Sequence, residues 1–334
     1  MKYYKSSKNG KLICLLCSYY CDLKEGHIGI CGVNKHTQNK IECLVYGHIS
    51  AFNIDPIEKK PLYHFLPKSK SLSLGTVGCN FHCNFCQNHG ISQEKKIDKS
   101  NYISAKEVVN IAKQRACKSI SYTYNEPTIF YPFAKDIAIE AKKYNIKSVF
   151  VSNGFESKEV IEDMNSVIDA INVDLKSFNE SYYKKSLGGN LHQVLENLIH
   201  LKKNNIHTEI TTLLVPTKND SKKEITNIVK FIKENLGEET VWHISAFHPD
   251  YKELSLPRTS FAKLKEAYDI AKEQGLKYVY IGNIGYENNT YCSNCKELLI
   301  SREFFDVKKY NLKNSSCPSC NKKLEGVFDG FNGY

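Results

Sequence analysis

The ten residues Gly78 to Gln87 read Gly-Cys-Asn-Phe-His-Cys-Asn-Phe-Cys-Gln and set Cys79, Cys83 and Cys86 in a C-x3-C-x2-C loop. Three thiolates can hold three corners of a four-iron cluster, and no fourth cysteine follows at close spacing. A cube held in this way keeps one iron with an open coordination position, as a catalytic zinc site keeps one. A zinc knuckle one ligand short, or three unrelated buried thiols, would also use cysteines, but neither calls for this spacing.

The chain has 13 cysteines, and eleven of them fall into three groups: 14/17/21/31, 79/83/86 and 292/295/317/320. Grouping of this kind is ligand arithmetic rather than a disulfide framework. Cys14, Cys17, Cys21 and Cys31 suit a tetrahedral zinc or a second iron–sulfur cluster, and the spacing does not choose between them. A bound metal there would fold a segment poor in apolar residues. Cys292-x2-Cys295 and Cys317-x2-Cys320, separated by 21 residues, form the two knuckles of a zinc-ribbon or rubredoxin-like module. Zinc is favoured over iron in that module, and a structural role over electron transfer. Cys43 and Cys117 are left over and read as small core residues.

The elements that must position these groups follow from pattern. A chain of 334 residues can bury a full core. Its net charge of +10 is carried by lysines scattered along helical faces, which argues for solvated surface over a nucleic-acid track. The apolar run Leu12 to Leu16 is too short for a signal core or a membrane span, which predicts a cytoplasmic protein with reduced thiols. Residues 1–68 form an N-terminal cysteine-rich, metal-binding segment, with two short strands within 41–53 broken at Gly47-His48. A proline-bounded loop then runs from Asp55 to Pro67, where Glu58, Lys59 and Lys60 read as solvent-facing.

Residues 69–285 alternate short apolar runs with amphipathic stretches. Strands are predicted at 71–76, 119–124, 147–152, 169–174, 207–215 and 240–246, with Leu276 to Ile281 as a further edge strand. Helices are predicted at 104–116, 129–144, 157–164, 190–204, 221–236 and 259–274, with Ser104, Ser157, Ser221 and Thr259 as N-caps. Six strand–helix repeats imply an α/β fold with a parallel sheet and right-handed crossovers, short of the eight that close a barrel. The expected architecture is a partial (β/α)6 barrel followed by the zinc-ribbon-like module, residues 286–334. Polar residues interrupt at the C-terminal end of each strand: the cysteine loop, Tyr124-Asn125-Glu126, Ser152-Asn153, Asp174-Leu175-Lys176, Thr211-Thr212, and His243 with Ser245 and His248. In parallel-sheet barrels chemistry gathers at that rim. Glu209 and Thr211 share one face of their strand, so an inward glutamate argues for a polar interior. His243 would touch a cofactor's adenine or the substrate, or else serve as a satisfied structural histidine.

The cysteine loop resembles the signature of the radical S-adenosylmethionine (SAM) enzymes, and Phe85 before the third cysteine fits as well. The most specific likeness spans nearly the whole chain. Cys14-Leu-Leu-Cys17, Asp55-Pro-Ile-Glu-Lys-Lys-Pro61, Gly75-Thr-Val-Gly-Cys-Asn-Phe81, Tyr124-Asn-Glu-Pro-Thr128, Trp242-His-Ile-Ser245 and Tyr291-Cys-Ser-Asn-Cys295 resemble the AmmeMemoRadiSam-system enzymes. These are relatives of pyruvate formate-lyase activating enzyme. The resemblance implies a radical-SAM partial barrel with a [4Fe-4S] cluster on Cys79, Cys83 and Cys86. The free iron would chelate SAM, and one electron would split its sulfonium to a 5'-deoxyadenosyl radical that abstracts hydrogen from a substrate. It implies that Glu126 receives the SAM amino group, although Tyr124-Asn125 stand where the family has glycines. Ser152 and Asn153 would meet ribose and carboxylate, Asp174 ribose hydroxyls or a cation, and Lys176 the SAM carboxylate. It implies Memo-like and AMMECR-like partner proteins and an electron donor of the flavodoxin or ferredoxin class.

Two rivals stand beside this reading. One is a glycyl-radical-enzyme activase acting on a backbone glycine. The other is a non-catalytic metal-ribbon module that docks protein or nucleic acid, against which the six-fold polar rim argues.

Overall fold

A computed structural model describes residues 3–328. The N-terminal pair and residues 329–334 of the C-terminal module lie outside the described residues. The centre is an eight-stranded sheet: β1 Ala51–Pro56, β2 Lys70–Gly75, β3 Ser119–Tyr122, β4 Lys147–Ser152, β5 Ala170–Asp174, β6 His207–Leu214, β7 Trp242–Ala246 and β8 Val279–Gly282. The strands lie in sequence order across the sheet. Seven are parallel and β1 runs antiparallel against β2. The predicted strand–helix repeat is therefore present, with β8 as the expected edge. The antiparallel β1 comes from the N-terminal segment, so the division drawn at residue 68 cuts through the sheet.

Helices α1 Ala105–Gln114, α2 Tyr131–Lys142, α3 Lys158–Met164, α4 Leu191–Lys203, α5 Lys222–Phe231 and α6 Phe261–Glu273 follow successive parallel strands. Ser104, Ser157 and Ser221 cap α1, α3 and α5 through their hydroxyls, and Ser104 with Glu107 closes a full capping box. The cap of α6 is Ser260 rather than Thr259. Thr259 is buried, where its hydroxyl accepts from the Phe247 N–H (2.9 Å). No helix among the described residues is long and apolar enough to cross a membrane.

Parallel register puts Asn172 beside Glu209, and then Asp174, Thr211, His243 and Tyr280 side by side on one face. The opposite face presents Ile171, Val173, Ile210, Ile244 and Ile281, all fully buried. The segment after β1 closes the N-terminal end of the barrel. Ile57, Leu62, Phe65 and Leu66 pack there against Val149 and Ala170. Glu58 and Lys60 are therefore buried rather than solvent-facing, and only Lys59 of the three is exposed. Lys60 lies 2.6 Å from Asp55.

Glu209 organises this floor. Its carboxylate accepts the backbone N–H groups of Tyr63 (2.9 Å) and His64 (2.7 Å). It also sits 3.0 Å from His207 Nε2 and 2.6 Å from His243 Nε2. The C-terminal module docks beneath. Arg302, from its strand Leu298–Glu303, donates to the carbonyl of Tyr63 (2.8 Å) and lies 4.4 Å over that ring.

Candidate active site

The cysteine loop leaves the C-terminal end of β2, as the pattern requires. Gly78 turns it at φ +88°, and a Cβ there would stand 2.6 Å from the Cys31 carbonyl oxygen and 2.8 Å from Val33. Asn125 ties the next strand to this loop: its Nδ2 donates to the Gly78 carbonyl (2.8 Å) and to Thr76 Oγ1 (3.0 Å), and its Oδ1 accepts from Thr76 N–H (3.2 Å). Tyr124 adopts φ +71°, a left-handed conformation normally left to glycine. The chain thus takes the sharp turn that glycines would make, at some backbone strain.

Burial pushes the Cys79 and Cys83 thiols up, Cys83 to about 11, even with the Lys176 ammonium nearby to lower it. Neither thiol ionises readily on its own, so both fit a site where a cationic metal core supplies the compensating charge. Phe81 N–H lies 3.4 Å from Cys79 Sγ, and Ser92 Oγ 3.2 Å from Cys86 Sγ. Hydrogen bonds of this kind to cluster sulfurs are among the means by which a protein tunes potential.

Glu126 is almost fully buried, and both of its oxygens are engaged inside the chain. Oε1 accepts from Thr128 N–H (3.0 Å), Thr128 Oγ1 (2.6 Å) and Ser152 Oγ (3.0 Å), and Oε2 accepts from Asn153 N–H (2.8 Å). Its side chain therefore works as the knot that holds the Ser152-Asn153 turn against Tyr124-Asn125. Asn153 Nδ2 reaches Asn80 Oδ1 (2.8 Å), bringing β4 to the cysteine loop. Asn172 Oδ1 and Thr211 Oγ1 are buried without a protein partner.

Lys176 pairs with Asp174 at 2.8 Å and lies 6.0 Å above the Phe85 ring. Burial works against its charge, but Asp174 and Cys83 outweigh that and hold the ammonium above the ordinary lysine range. Cys83, Phe85, Asp174 and Lys176 thus converge, as do Cys79, Asn80, Glu126, Ser152 and Asn153. His243 does not join them. Its ring is paired to Glu209 and lies against Tyr63 (4.8 Å) and Tyr280 (5.6 Å), toward the barrel floor. Of the two readings open for it, this geometry matches a satisfied structural histidine rather than a contact with adenine.

Sequence reasoning missed Glu156. It is fully buried, shares the Ser152 hydroxyl with Glu126, and leaves Oε2 without a partner. The available signal was a carboxylate four residues beyond a rim serine. Burial first, and then the Glu126 charge, pushes the Glu156 carboxyl up to about 7. The folded state therefore holds a proton that the unfolded chain has lost above its own pKa of roughly 4.3. This group's contribution to stability is fully present below that value and declines as pH rises toward about 7. Glu156→Gln is expected to flatten that decline and to raise stability at pH 8 by on the order of 1–3 kcal/mol. Denaturant midpoints of both proteins between pH 5 and pH 8 check this, and a parallel offset at every pH would contradict it.

In the C-terminal module Cys292, Cys295, Cys317 and Cys320 place their sulfurs within 4.8 Å of one another. The cross pairs stand at 3.5 Å (Cys292–Cys320) and 3.6 Å (Cys295–Cys317). Matching turns build the two knuckles: Lys296 N–H bonds to the Cys292 carbonyl (3.1 Å) and Asn321 N–H to the Cys317 carbonyl (2.9 Å). Tetrahedral zinc with bonds near 2.3 Å brings sulfurs to about 3.8 Å, so this group fits a single ion.

Comparison with known proteins gives these elements a family. The Radical SAM superfamily profile matches residues 73–232, which run from β2 through α5 and include the cysteine loop, Glu126 and Lys176. The uncharacterized protein MJ0808 of Methanocaldococcus jannaschii is 40% identical over 331 residues, 97% of this chain and 98% of that one. The (2S)-3-sulfopropanediol sulfolyase activating enzyme of Bilophila wadsworthia is 28% identical over 123 residues, 36% of this chain and 41% of that one. Among solved structures, a radical SAM methyltransferase from Sphaerobacter thermophilus superposes with TM-score 0.52 at 14% identity, covering 70% of this chain and 71% of its own, which is a likeness of fold. The chain belongs to the radical SAM superfamily of enzymes, in one family with MJ0808.

Proposed function

We propose that this enzyme cleaves SAM reductively at a four-iron cluster on Cys79, Cys83 and Cys86, and that it acts within an AmmeMemoRadiSam system beside Memo-like and AMMECR-like proteins. A radical SAM domain implies an iron–sulfur cluster and SAM. The observation that carries the reading is the gathering of the three-cysteine loop with Asp174, Lys176 and Phe85 at the C-terminal ends of the strands. When bound, the cluster supplies the single electron that converts SAM to methionine and a hydrogen-abstracting 5'-deoxyadenosyl radical.

The chain's own residues do the rest. Lys176 balances the SAM carboxylate, and Asp174 meets ribose hydroxyls. Glu126 fixes the Ser152-Asn153 turn against which SAM lies. The loop carrying the cysteines is tied to the segment after β7 by Gln87 and His248 (2.9 Å) and by Lys252 N–H on the Asn84 carbonyl (2.9 Å). Lys176→Met is expected to raise the KM for SAM at least about tenfold, the worth of one charge-assisted hydrogen bond. Steady-state kinetics at fixed reductant check it, and an unchanged KM would remove Lys176 from the carboxylate site.

The test of the system is anaerobic incubation of reconstituted enzyme, SAM and a flavodoxin or ferredoxin with and without the Memo-like and AMMECR-like proteins. The proposal expects the partners to raise 5'-deoxyadenosine formation and to yield a modified product. The limited likeness to the sulfolyase activating enzyme favours a second reading, activation of a glycyl-radical enzyme. A glycyl radical signal by EPR on such a partner, with no response to the Memo-like and AMMECR-like proteins, would decide for it.

A further inference from the structure

The N-terminal cysteines take no part in the site above, yet the structure gathers them. Cys14 lies on the short strand Leu12–Cys14, and its N–H donates to the Cys21 carbonyl (3.0 Å) at the head of the paired strand Asp22–Leu23. The sulfurs of Cys21 and Cys31 flank Gly29, where a Cβ would stand 3.6 and 3.8 Å from them. Asn34 Nδ2 points at Cys31 Sγ from 3.4 Å. Cys14, Cys17 and Cys21 all lie in the electrostatic field of Cys31. Cys43 neighbours the group but aims its thiol at the Ile129 carbonyl (3.8 Å).

The spacing of these four differs from that of the C-terminal four. Among the described residues, only the C-terminal group brings three or more ligand atoms within 4.8 Å of one another. A single zinc ion requires sulfurs about 3.8 Å apart. Four thiols within one another's field but spread beyond that spacing suit a core of several metal atoms and bridging sulfides, which sets of four cysteines hold in iron–sulfur clusters.

The group also abuts the cysteine loop. The Cys31 carbonyl packs against Gly78, the residue before Cys79. Cys17 forms a β-bridge with Glu156, and Ser18 N–H donates to the Phe155 carbonyl (3.0 Å). Tyr19 lies edge-on to Phe155 (5.1 Å), which in turn meets Phe81 (5.3 Å). The Tyr19 phenol lies in the field of Cys17 and Cys21 on one side and of Cys79 and Cys83 on the other.

We propose that Cys14, Cys17, Cys21 and Cys31 hold an iron–sulfur cluster, a second redox centre adjoining the one on Cys79, Cys83 and Cys86. Its relay role rests on the SAM-cleaving site proposed above; its existence does not. A low-potential one-electron donor protein is oxidised as the N-terminal cluster is reduced. That cluster is reoxidised as the SAM-binding cluster is reduced, with no proton or atom transferred.

The test uses the full chain with Cys79→Ser, Cys83→Ser and Cys86→Ser together, reconstituted anaerobically with iron and sulfide. A zinc-loaded C-terminal module contributes no sulfide, so acid-labile sulfide reads the N-terminal group alone. The proposal expects sulfide and iron in equal amounts and a visible absorption that dithionite bleaches, both lost on adding Cys17→Ser and Cys31→Ser. Zinc on the N-terminal cysteines, with no labile sulfide, overturns it. In the wild-type chain reduced at both sites, adjacency predicts an EPR spectrum broadened beyond the sum of the spectra of the triple variant and of a Cys17→Ser, Cys31→Ser variant with Cys79, Cys83 and Cys86 intact, and a simple sum overturns the relay. Sulfide in the triple variant but no more in the wild type would sink the radical SAM site and leave the N-terminal cluster standing.

Discussion

Gly78→Ala is expected to abolish cluster assembly on Cys79, Cys83 and Cys86 while leaving the protein folded. Two costs coincide at this position. The backbone sits at φ +88°, where a side chain is strained by roughly 1–2 kcal/mol. The added methyl would stand 2.6 Å from the Cys31 carbonyl oxygen, which is backbone and cannot swing aside. The loop must lift away, and with it the ligand that follows. A misplacement of about 1 Å at a catalytic centre is worth about a hundredfold in rate, so SAM cleavage should fall by at least that much. Gly90→Ala is the control, since Gly90 lies in the same loop region with nothing within 4 Å of an added Cβ. Iron content and cleavage rate of the two variants check the prediction, and a Gly78→Ala protein with a full cluster and normal turnover would contradict it.

The second large effect falls on stability. Glu209→Ala should lower unfolding free energy by about 3–5 kcal/mol, the usual outcome of removing one partner from a buried charged network. Burial alone would raise this carboxyl, but the hydrogen bonds from His207 and His243 outweigh burial and hold it well below the ordinary range. A depressed folded pKa contributes stability that is fully present above the unfolded value near 4.3 and is lost as pH falls through the folded value. The difference between wild type and Glu209→Ala should therefore be full at pH 7 and shrink in acid. Denaturant titrations at both pH values measure it. Adding His243→Ala to Glu209→Ala should cost much less than His243→Ala costs alone, because the two share one interaction. A loss under about 1 kcal/mol, or full additivity, would mean that the floor is held by its apolar contacts instead.

These two positions differ in how far the sequence disclosed them. The glycine before Cys79 was visible as part of a motif, and its positive φ is what such a loop needs. Glu209 was legible only as an inward carboxylate requiring a polar environment. Its partners Tyr63 and His64 lie some 145 residues away in a loop whose charged residues looked solvent-facing. Lys60 and Glu58 were misread for the same reason. Period and composition report which side chains would suit water, and cannot report that a loop folds back into the barrel.

The repeating core was the most readable part. Each parallel strand and helix alternates a buried face with a polar end, and the serine caps of α1, α3 and α5 announce themselves. The rim residues were found because strand ends set their positions. His243 stands level with Thr211 in the sheet, but its ring turns back to Glu209, and the pattern of a strand does not report which way a ring leans. Glu156 escaped because its importance arises from a shared hydroxyl on Ser152, which no local pattern encodes.

The most direct test of the central claim is formation of 5'-deoxyadenosine from SAM. The protein is reconstituted anaerobically with iron and sulfide, reduced with dithionite, and compared with Cys83→Ala prepared in the same way. Cleavage by the wild type that disappears in Cys83→Ala is the predicted result. A reconstituted wild type that binds no cluster on Cys79, Cys83 and Cys86, or a Cys83→Ala protein that cleaves SAM as well as the wild type does, would contradict it.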